Sequence, residues 1–252
     1  KESYGLSLGS IDRLISQYPG QGGVLITVDC GISAIEEVRY AKQQGLRVVV
    51  TDHHEPQGQL PSADAILNPK QPGCTFSSSS LSGVGVAFFL LIALRKAMGL
   101  SLNLKKYLDL VALGTVADVV PLQGTNRILV RAGLEVLSKR DRIGVHSLCD
   151  ISGIESREIL SEDISFRLAP RINASGRLGC PLVGVELLLA ENTQDARVAA
   201  NKLETMNQER KQLELTAMQS MEAEHKEQVM AHCYGITLYQ AECHAGVLGI
   251  LA

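Results

Sequence analysis

Two short apolar runs, Val24–Asp29 and Leu46–Asp52, each end on an acid, and the second continues directly into His53 and His54. Apolar runs of this length, bounded by turn residues, predict buried strands. Residues 33–45 lie between them and read as a helix. Ser33-Ala34-Ile35-Glu36 matches a capping box at its start, and Gly45 suits the position just past its end. Strand, helix and strand within about 30 residues predict a βαβ unit with two parallel strands.

The pattern continues on both sides of this unit. Residues 7–18 predict a short amphipathic helix with Ile11, Leu14 and Ile15 on one face, and residues 19–23 a turn. Residues 63–67 predict a third, shorter strand. Residues 69–82, rich in Pro, Gly and Ser, predict a loop with its tip at 77–80. A helix is expected over 83–98, apolar on most faces and therefore buried. Further helices are expected over 104–113, 126–137, 164–168 and 181–190, with a polar loop over 170–177. No Gly or Pro occurs from Thr193 to Met230. That stretch predicts one helix of roughly 57 Å, longer than a compact core needs, and so a bridge between two domains. Residues 234–239 read as a strand-like start of the next domain. The fold class is α/β: a parallel sheet with helices on both faces, a long connector helix and the beginning of a second domain.

Composition narrows the class. The chain has 252 residues, 45 % of them hydrophobic, with a net charge of −3. This balance does not advertise a nucleic-acid binder, although a local basic groove fits within a near-neutral total. The six cysteines include no C-x-x-C pair, so zinc-ribbon and thioredoxin readings fail. Scattered cysteines suggest reduced thiols and a cytoplasmic location. No apolar stretch reaches membrane-spanning length, and the first residues are not a signal peptide. The chain starts without Met and stops inside an apolar run, which leads us to expect an internal piece of a longer protein.

Candidate chemistry comes from the strand ends. In open α/β sheets, ligands sit at the carboxyl edge. Asp29 from one strand converges there with Asp52, His53 and His54 from the next. Oxygen and nitrogen donors in this mixture suit a divalent transition metal such as Mn²⁺. Asp29 alone reads equally well as a turn aspartate. Neighbouring residues of an extended strand point to opposite sides, so His53 and His54 serve one site only from a loop at the strand end; the other reading is a buried structural histidine. Asp118 comes after an apolar run and is costly to bury unless paired or metal-bound, or else it caps a helix or faces solvent. Arg171, Asn173 and Arg177 share one short segment. Arginine forks match phosphate oxygens, but ion pairs pinning the segment would use the same residues. Together these features point to metal-assisted chemistry on phosphates.

Seven segments, taken in order, resemble the DHH phosphoesterase superfamily, and within it the bacterial exonucleases specific for single strands. They are VDCGIS at 28–33, TDHH at 51–54, SLSGVGVA at 80–87, ALGTVADVVPL at 112–122, PRINASGR at 170–177, NQERK at 207–211 and HAGVLGILA at 244–252. The resemblance implies that Asp29 bridges two metal ions and that His53 and Asp118 are metal ligands. It implies that Asp52 supports the neighbouring histidine and that His54 faces the scissile phosphate. Arg171, Asn173 and Arg177 fall in a phosphate-contacting motif. His244, Gly246 and Gly249 open the glycine-rich motif of a second, substrate-binding domain called DHHA1. The implied organisation is a DHH catalytic domain over 1–190, a connector helix over 191–232 and a truncated DHHA1 domain over 233–252. The implied activity is 5′-to-3′ hydrolysis of single-stranded DNA in repair and recombination, with two Mn²⁺ or Mg²⁺ ions. Single-stranded-DNA-binding protein and a helicase are the implied partners. Two departures stand out. The family's upstream Asp-x-Asp is absent, which leaves the two-metal site incomplete and the fragment alone inactive. Cys243 stands where many relatives carry an aromatic residue. The alternatives are a phosphodiesterase for oligoribonucleotides or cyclic dinucleotides, a pyrophosphatase, or a catalytically incomplete DNA-binding fragment.

Overall fold

Helix α1 (Leu8–Gln17) opens with a reciprocal cap: the Ser7 hydroxyl accepts from the Ser10 N–H and the Ser10 hydroxyl from the Ser7 N–H. The structure, a computed structural model, describes residues 5–20, 22–156, 158–230 and 243–251, the backbone alone at 222–230 and 250–251. β1 (Val24–Val28), α2 (Ile35–Gln43) and β2 (Arg47–Thr51) form the expected βαβ unit, and β3 (Ala65–Leu67) adds the third strand. The order is β1–β2–β3, all parallel, with Val24 opposite Arg47 and Val49 opposite Ala65. All three strands therefore deliver their carboxyl ends to one edge.

The entry to α2 differs from expectation. Its cap is Ala34, which makes no side-chain cap bond, so Ser33 and Glu36 form no capping box. A tight turn, with Ala34 N–H on Gly31 O and Ile35 N–H on Ser33 O, leaves Ser33 one residue too early. Glu36 pairs with Arg39 on the exposed face instead, at 2.6 Å. Gly45 ends the helix as expected, with φ +84°.

Ile11, Val38, Ala41, Val48 and Val50 pack α1, α2 and β2 into one core. Burial of each Val or Ile contributes about 1.5–3 kcal/mol. α3 (Gly83–Ala97) also packs on β1 and β2. A second core of Phe88, Leu104 and Val111 joins it to α4 (Leu108–Ala117), with Leu129 of α5 (Gly124–Leu137) packed alongside. The first half of α3 is buried, but Leu91 and Leu94 are exposed. The burial expected along the whole helix therefore stops midway. Close packing is concentrated at its start, where a methyl added to Gly114 would lie 2.9 Å from Val84 Cγ1.

These elements make up the first of two compact units, Lys1–Ser138; the second is Lys139–Ala252. That division is one of packing and does not decide the functional boundaries expected near 190 and 232. The second unit holds α6 (Ile143–Ile151), which the apolar pattern did not single out, and α7 (Ser161–Asp163), which runs through a π-helical turn (Ile164–Leu168) into α8 (Ala169–Arg177). The polar loop expected over 170–177 is thus a helix. Pro170 sits in its first turn, where the missing N–H is no loss, and Ala174 and Ser175 bury one face. α9 (Leu182–Leu189) and α10 (Thr193–Met230) come next, and α10 has the 38 residues expected of it. α10 packs on α6, α8 and α9 through Ala196, Ala199, Ala200 and Leu203, which are buried. α11 (Ala245–Leu251) comes last; the strand expected over 234–239 lies outside the described residues. No described helix is long and apolar enough to cross a membrane.

Candidate metal centre

The carboxyl edge of the sheet builds the site. Asp29 lies directly after β1 and prolongs its ladder, with its N–H on Thr51 O at 3.0 Å. It then leaves the strand with φ +63°, a left-handed conformation that Asp tolerates better than most residues. Asp52 lies directly after β2, with its N–H on Leu67 O at 3.0 Å. His53 and His54 come after the last paired residue, so both rings are free to turn to one side. Their centroids are 4.6 Å apart.

Asp52 is 1 % exposed, and its carboxylate is fully engaged. Oδ2 accepts from Ile32 N–H at 2.9 Å. Oδ1 accepts from the His53 and His54 N–H groups at 2.7 and 3.2 Å and lies 2.6 Å from His54 Nδ1. Burial alone would raise its pKa, but these bonds together hold it below the usual carboxylate range. Asp52 is thus an anchor rather than an open ligand. By occupying His54 Nδ1, it leaves Nε2 of that half-exposed ring to face outward.

His53 is 6 % exposed. Its Nε2 lies 3.0 Å from Asp29 Oδ1 and 3.4 Å from Asp118 Oδ2. Contact with Asp29 raises its pKa above the ordinary histidine value; burial opposes the rise, and the charges of Asp118, Asp29 and Asp52 reinforce it. Asp118 caps α4, with its N–H on Gly114 O. Burial pushes its carboxyl up, His53 pulls it down, and Asp29 pushes it up again. Asp29 Oδ1 and His53 Nε2 are both buried without a well-aligned hydrogen-bond partner. Such atoms are rare because leaving them unmade is costly, and they fit a divalent cation that would accept both. One ligand atom each from Asp29, His53 and His54 also lies within 4.8 Å of the others, so His54 is geometrically able to join the set. Cys30 beside them is held as a thiol, since burial and the charges of Asp52 and Asp29 raise its pKa.

Two supports escaped the sequence reading. Asn68, 2 % exposed, donates through Nδ2 to His54 O at 2.9 Å and accepts from Lys70 N–H at 2.8 Å. Its signal was positional: a polar residue at the carboxyl end of the third parallel strand. Gly83, at the start of α3, lies so close to Asp29 that an added Cβ would overlap its carboxylate. Only a residue without a side chain fits there.

The remaining candidates belong to the second unit. Arg171 on α8 donates Nε to Glu204 of α10 and Nη1 to Arg167 O. Two of its donor groups are thus engaged within the protein, as in the ion-pair alternative. Asn173 is exposed on the same helix. Arg177 donates Nη1 to Gly246 O at 3.1 Å, and His244 Nδ1 accepts from Gly246 N–H at 3.1 Å. Arg177, His244 and Gly246 are therefore brought together, and a Cβ added at Gly249 would meet nothing within 4 Å.

Residues 7–115 match the model of the DHH family, N-terminal domain. The single-stranded-DNA-specific exonuclease RecJ of Haemophilus influenzae is 42 % identical over 100 % of this chain, which spans 45 % of that relative's length. A crystal structure of exonuclease RecJ bound to manganese superposes with TM-score 0.86 at 32 % identity, covering 100 % of this chain and 62 % of the other. RecJ from Thermus thermophilus in complex with Mn²⁺ gives 0.79 at 34 % identity, covering 96 % and 36 %.

Proposed function

The chain belongs to the DHH family, and from that premise we propose that its first unit is the hydrolytic core of a metal-dependent exonuclease that degrades single-stranded DNA from the 5′ end. The observation that carries this reading is the convergence of Asp29 and Asp118 on His53 Nε2, where the buried Asp29 Oδ1 and His53 Nε2 make no well-aligned hydrogen bond. These three side chains would hold Mn²⁺ or Mg²⁺. Bound there, the cation supplies Lewis acidity and a water of lowered pKa. His54, anchored through Nδ1, presents Nε2 to a phosphate oxygen. Arg177, His244 and Gly246 contact the phosphate backbone, while Arg171 orders the helix that carries Arg177 and Asn173. Backbone contacts without base readout suit a sequence-independent nuclease. The catalytic domain extends over 1–190, α10 serves as connector, and residues from 233 open the DHHA1 domain. Single-stranded DNA is the substrate, single-stranded-DNA-binding protein and a helicase are the partners, and the cytoplasm is the location.

The natural protein containing these residues provides the test. With Mn²⁺ it should release mononucleotides from single-stranded DNA, far faster than from duplex DNA, short RNA or pyrophosphate. Ca²⁺, a harder oxygen-seeking cation, should support little turnover. His53→Ala should lower Mn²⁺ affinity, whereas His54→Ala should lower kcat and leave affinity nearly intact. Preferred hydrolysis of pyrophosphate or short RNA would refute the substrate, and equal losses of affinity in the two variants would refute the division of roles.

A further inference from the structure

A layer of polar groups with no assigned role lies directly behind the metal centre. The Ser82 and Thr115 hydroxyls meet at 2.8 Å, and both residues are 0 % exposed. Ser82 is the N-cap of α3 and also accepts from Gly85 N–H at 3.2 Å. Thr115 lies in the last turn of α4. Asn126, 0 % exposed, donates both amide hydrogens: to Ser80 O at 2.7 Å and to Pro121 O at 3.0 Å. Its Oδ1 is buried without a partner.

Each contact ends beside a candidate ligand. Ser82 precedes Gly83, which abuts the Asp29 carboxylate. Thr115 lies one turn before Asp118. Ser80 and Pro121 belong to the chain segments leading into α3 and out of Asp118. The hydroxyl pair thus fastens the Asp29 side of the site to the Asp118 side, and Asn126 fastens them again. Packing does not account for this. Leu81, Val86 and Val116 nearby are buried and apolar, and replacing a buried hydroxyl pair with methyl-bearing residues is often nearly neutral. The unpartnered Asn126 Oδ1 is a further expense that an apolar residue would avoid. The need arises elsewhere. Two carboxylates share one imidazole nitrogen at 3.0 and 3.4 Å, and without a cation between them like charges drive them apart.

We propose that Ser82, Thr115 and Asn126 are positioning residues that fix the separation of Asp29 and Asp118 for a divalent cation. This rests on the metal-centre reading above and deepens it. The mechanism is preorganisation: ligands held at the binding distance lose less on closing around the ion.

The test uses the full natural protein, with Mn²⁺ binding followed by the electron paramagnetic resonance of the free ion and melting recorded without metal. Thr115→Val removes the hydroxyl at nearly constant volume, and Asn126→Ala removes the second fastening. Each should raise the Mn²⁺ dissociation constant on the order of tenfold, the scale of outer supports in metal sites. Thr115→Ser should bind Mn²⁺ like the unaltered protein. Should Thr115→Val not fold, Asn126→Ala and Ser82→Ala carry the same readout. A fall in metal-free melting temperature with unchanged Mn²⁺ affinity would overturn the proposal, as would equal weakening by Thr115→Ser and Thr115→Val. If the unaltered protein binds no Mn²⁺, the metal-centre reading fails and this one with it. If it binds and only the variants are unaffected, the positioning role alone is refuted.

Discussion

Val119 adopts φ +57° immediately after Asp118, a left-handed conformation that costs a β-branched residue about 1–2 kcal/mol. Its side chain is 87 % exposed, so little burial offsets that cost. Val119→Asn should therefore raise the unfolding free energy by roughly 1 kcal/mol, read from urea denaturation. A destabilised variant would show that the side chain makes contacts worth more than the strain. The same turn places Asp118, whose titration with His53 predicts a pH response. In metal-free protein, folding raises His53 above 6.5 and Asp118 above 3.8. Both contributions are complete below those values and are lost as pH rises through the folded ones. Asp52, lowered from 3.8, contributes above that value, and its share is lost only in acid as pH falls through its folded pKa. The metal-free melting temperature should thus fall from about pH 6 to about pH 8, while the gain on adding Mn²⁺ should grow, since fewer protons must be displaced. Calorimetric scans at the two pH values check this, and equal gains would remove the proton–metal competition. At this scale the sequence was partly legible. Asp29 and His53 come at the ends of apolar strand runs, so their shared edge is readable, whereas Asp118 caps a helix and joined them only through the family resemblance. That Asp52 is consumed by four hydrogen bonds depends on the path of residues 29–34, which no local pattern encodes.

Elements were legible where apolar period and punctuation agreed. β1, β2 and α10 fall where the runs and the long Gly- and Pro-free stretch put them. α8 was missed because Pro170, Gly176 and two arginines resemble a loop, whereas in the structure the segment is a helix packed on α10. That packing gives Arg171 partners inside the protein. Its guanidinium bonds Glu204 of α10 and Arg167 O, and the side chains of the pair are 12 % and 21 % exposed. Arg171→Ala leaves a largely buried carboxylate without its partner and should cost about 1–3 kcal/mol of stability. Arg177→Ala, whose bond to Gly246 O is exposed, should weaken DNA binding and reduce its salt slope by roughly one phosphate contact, with little loss of stability. Thermal melts beside salt titrations separate the two effects, and an Arg171→Ala variant as stable as the parent would return Arg171 to the phosphate-binding set. The mid-helix change in burial of α3 was equally hidden, because an apolar sequence does not say where its neighbours end.

For the whole molecule, the candidate site residues divide between the two units. Asp29, Asp52, His53, His54 and Asp118 all lie in Lys1–Ser138, whereas Arg171, Asn173, Arg177, His244, Gly246 and Gly249 lie in Lys139–Ala252. The DHH-family match ends at 115, just before Asp118. Residues 1–138 made alone should therefore fold and bind Mn²⁺ by titration calorimetry, yet bind single-stranded DNA much more weakly than the natural protein. A fragment with native circular dichroism but no Mn²⁺ binding would show that ligands from outside it are required. The order of the proposed ligands along the chain also has a consequence in time. Asp29 and His53 leave the ribosome close together, and their βαβ unit needs only local contacts. Asp118 emerges after α3 and nearly all of α4, and the Asn126 that braces it emerges later still. A nascent chain thus offers a passing cation a loose pair of donors, exchangeable with whatever ion the cell holds in excess. The decision among metals is postponed until a folded frame can enforce it.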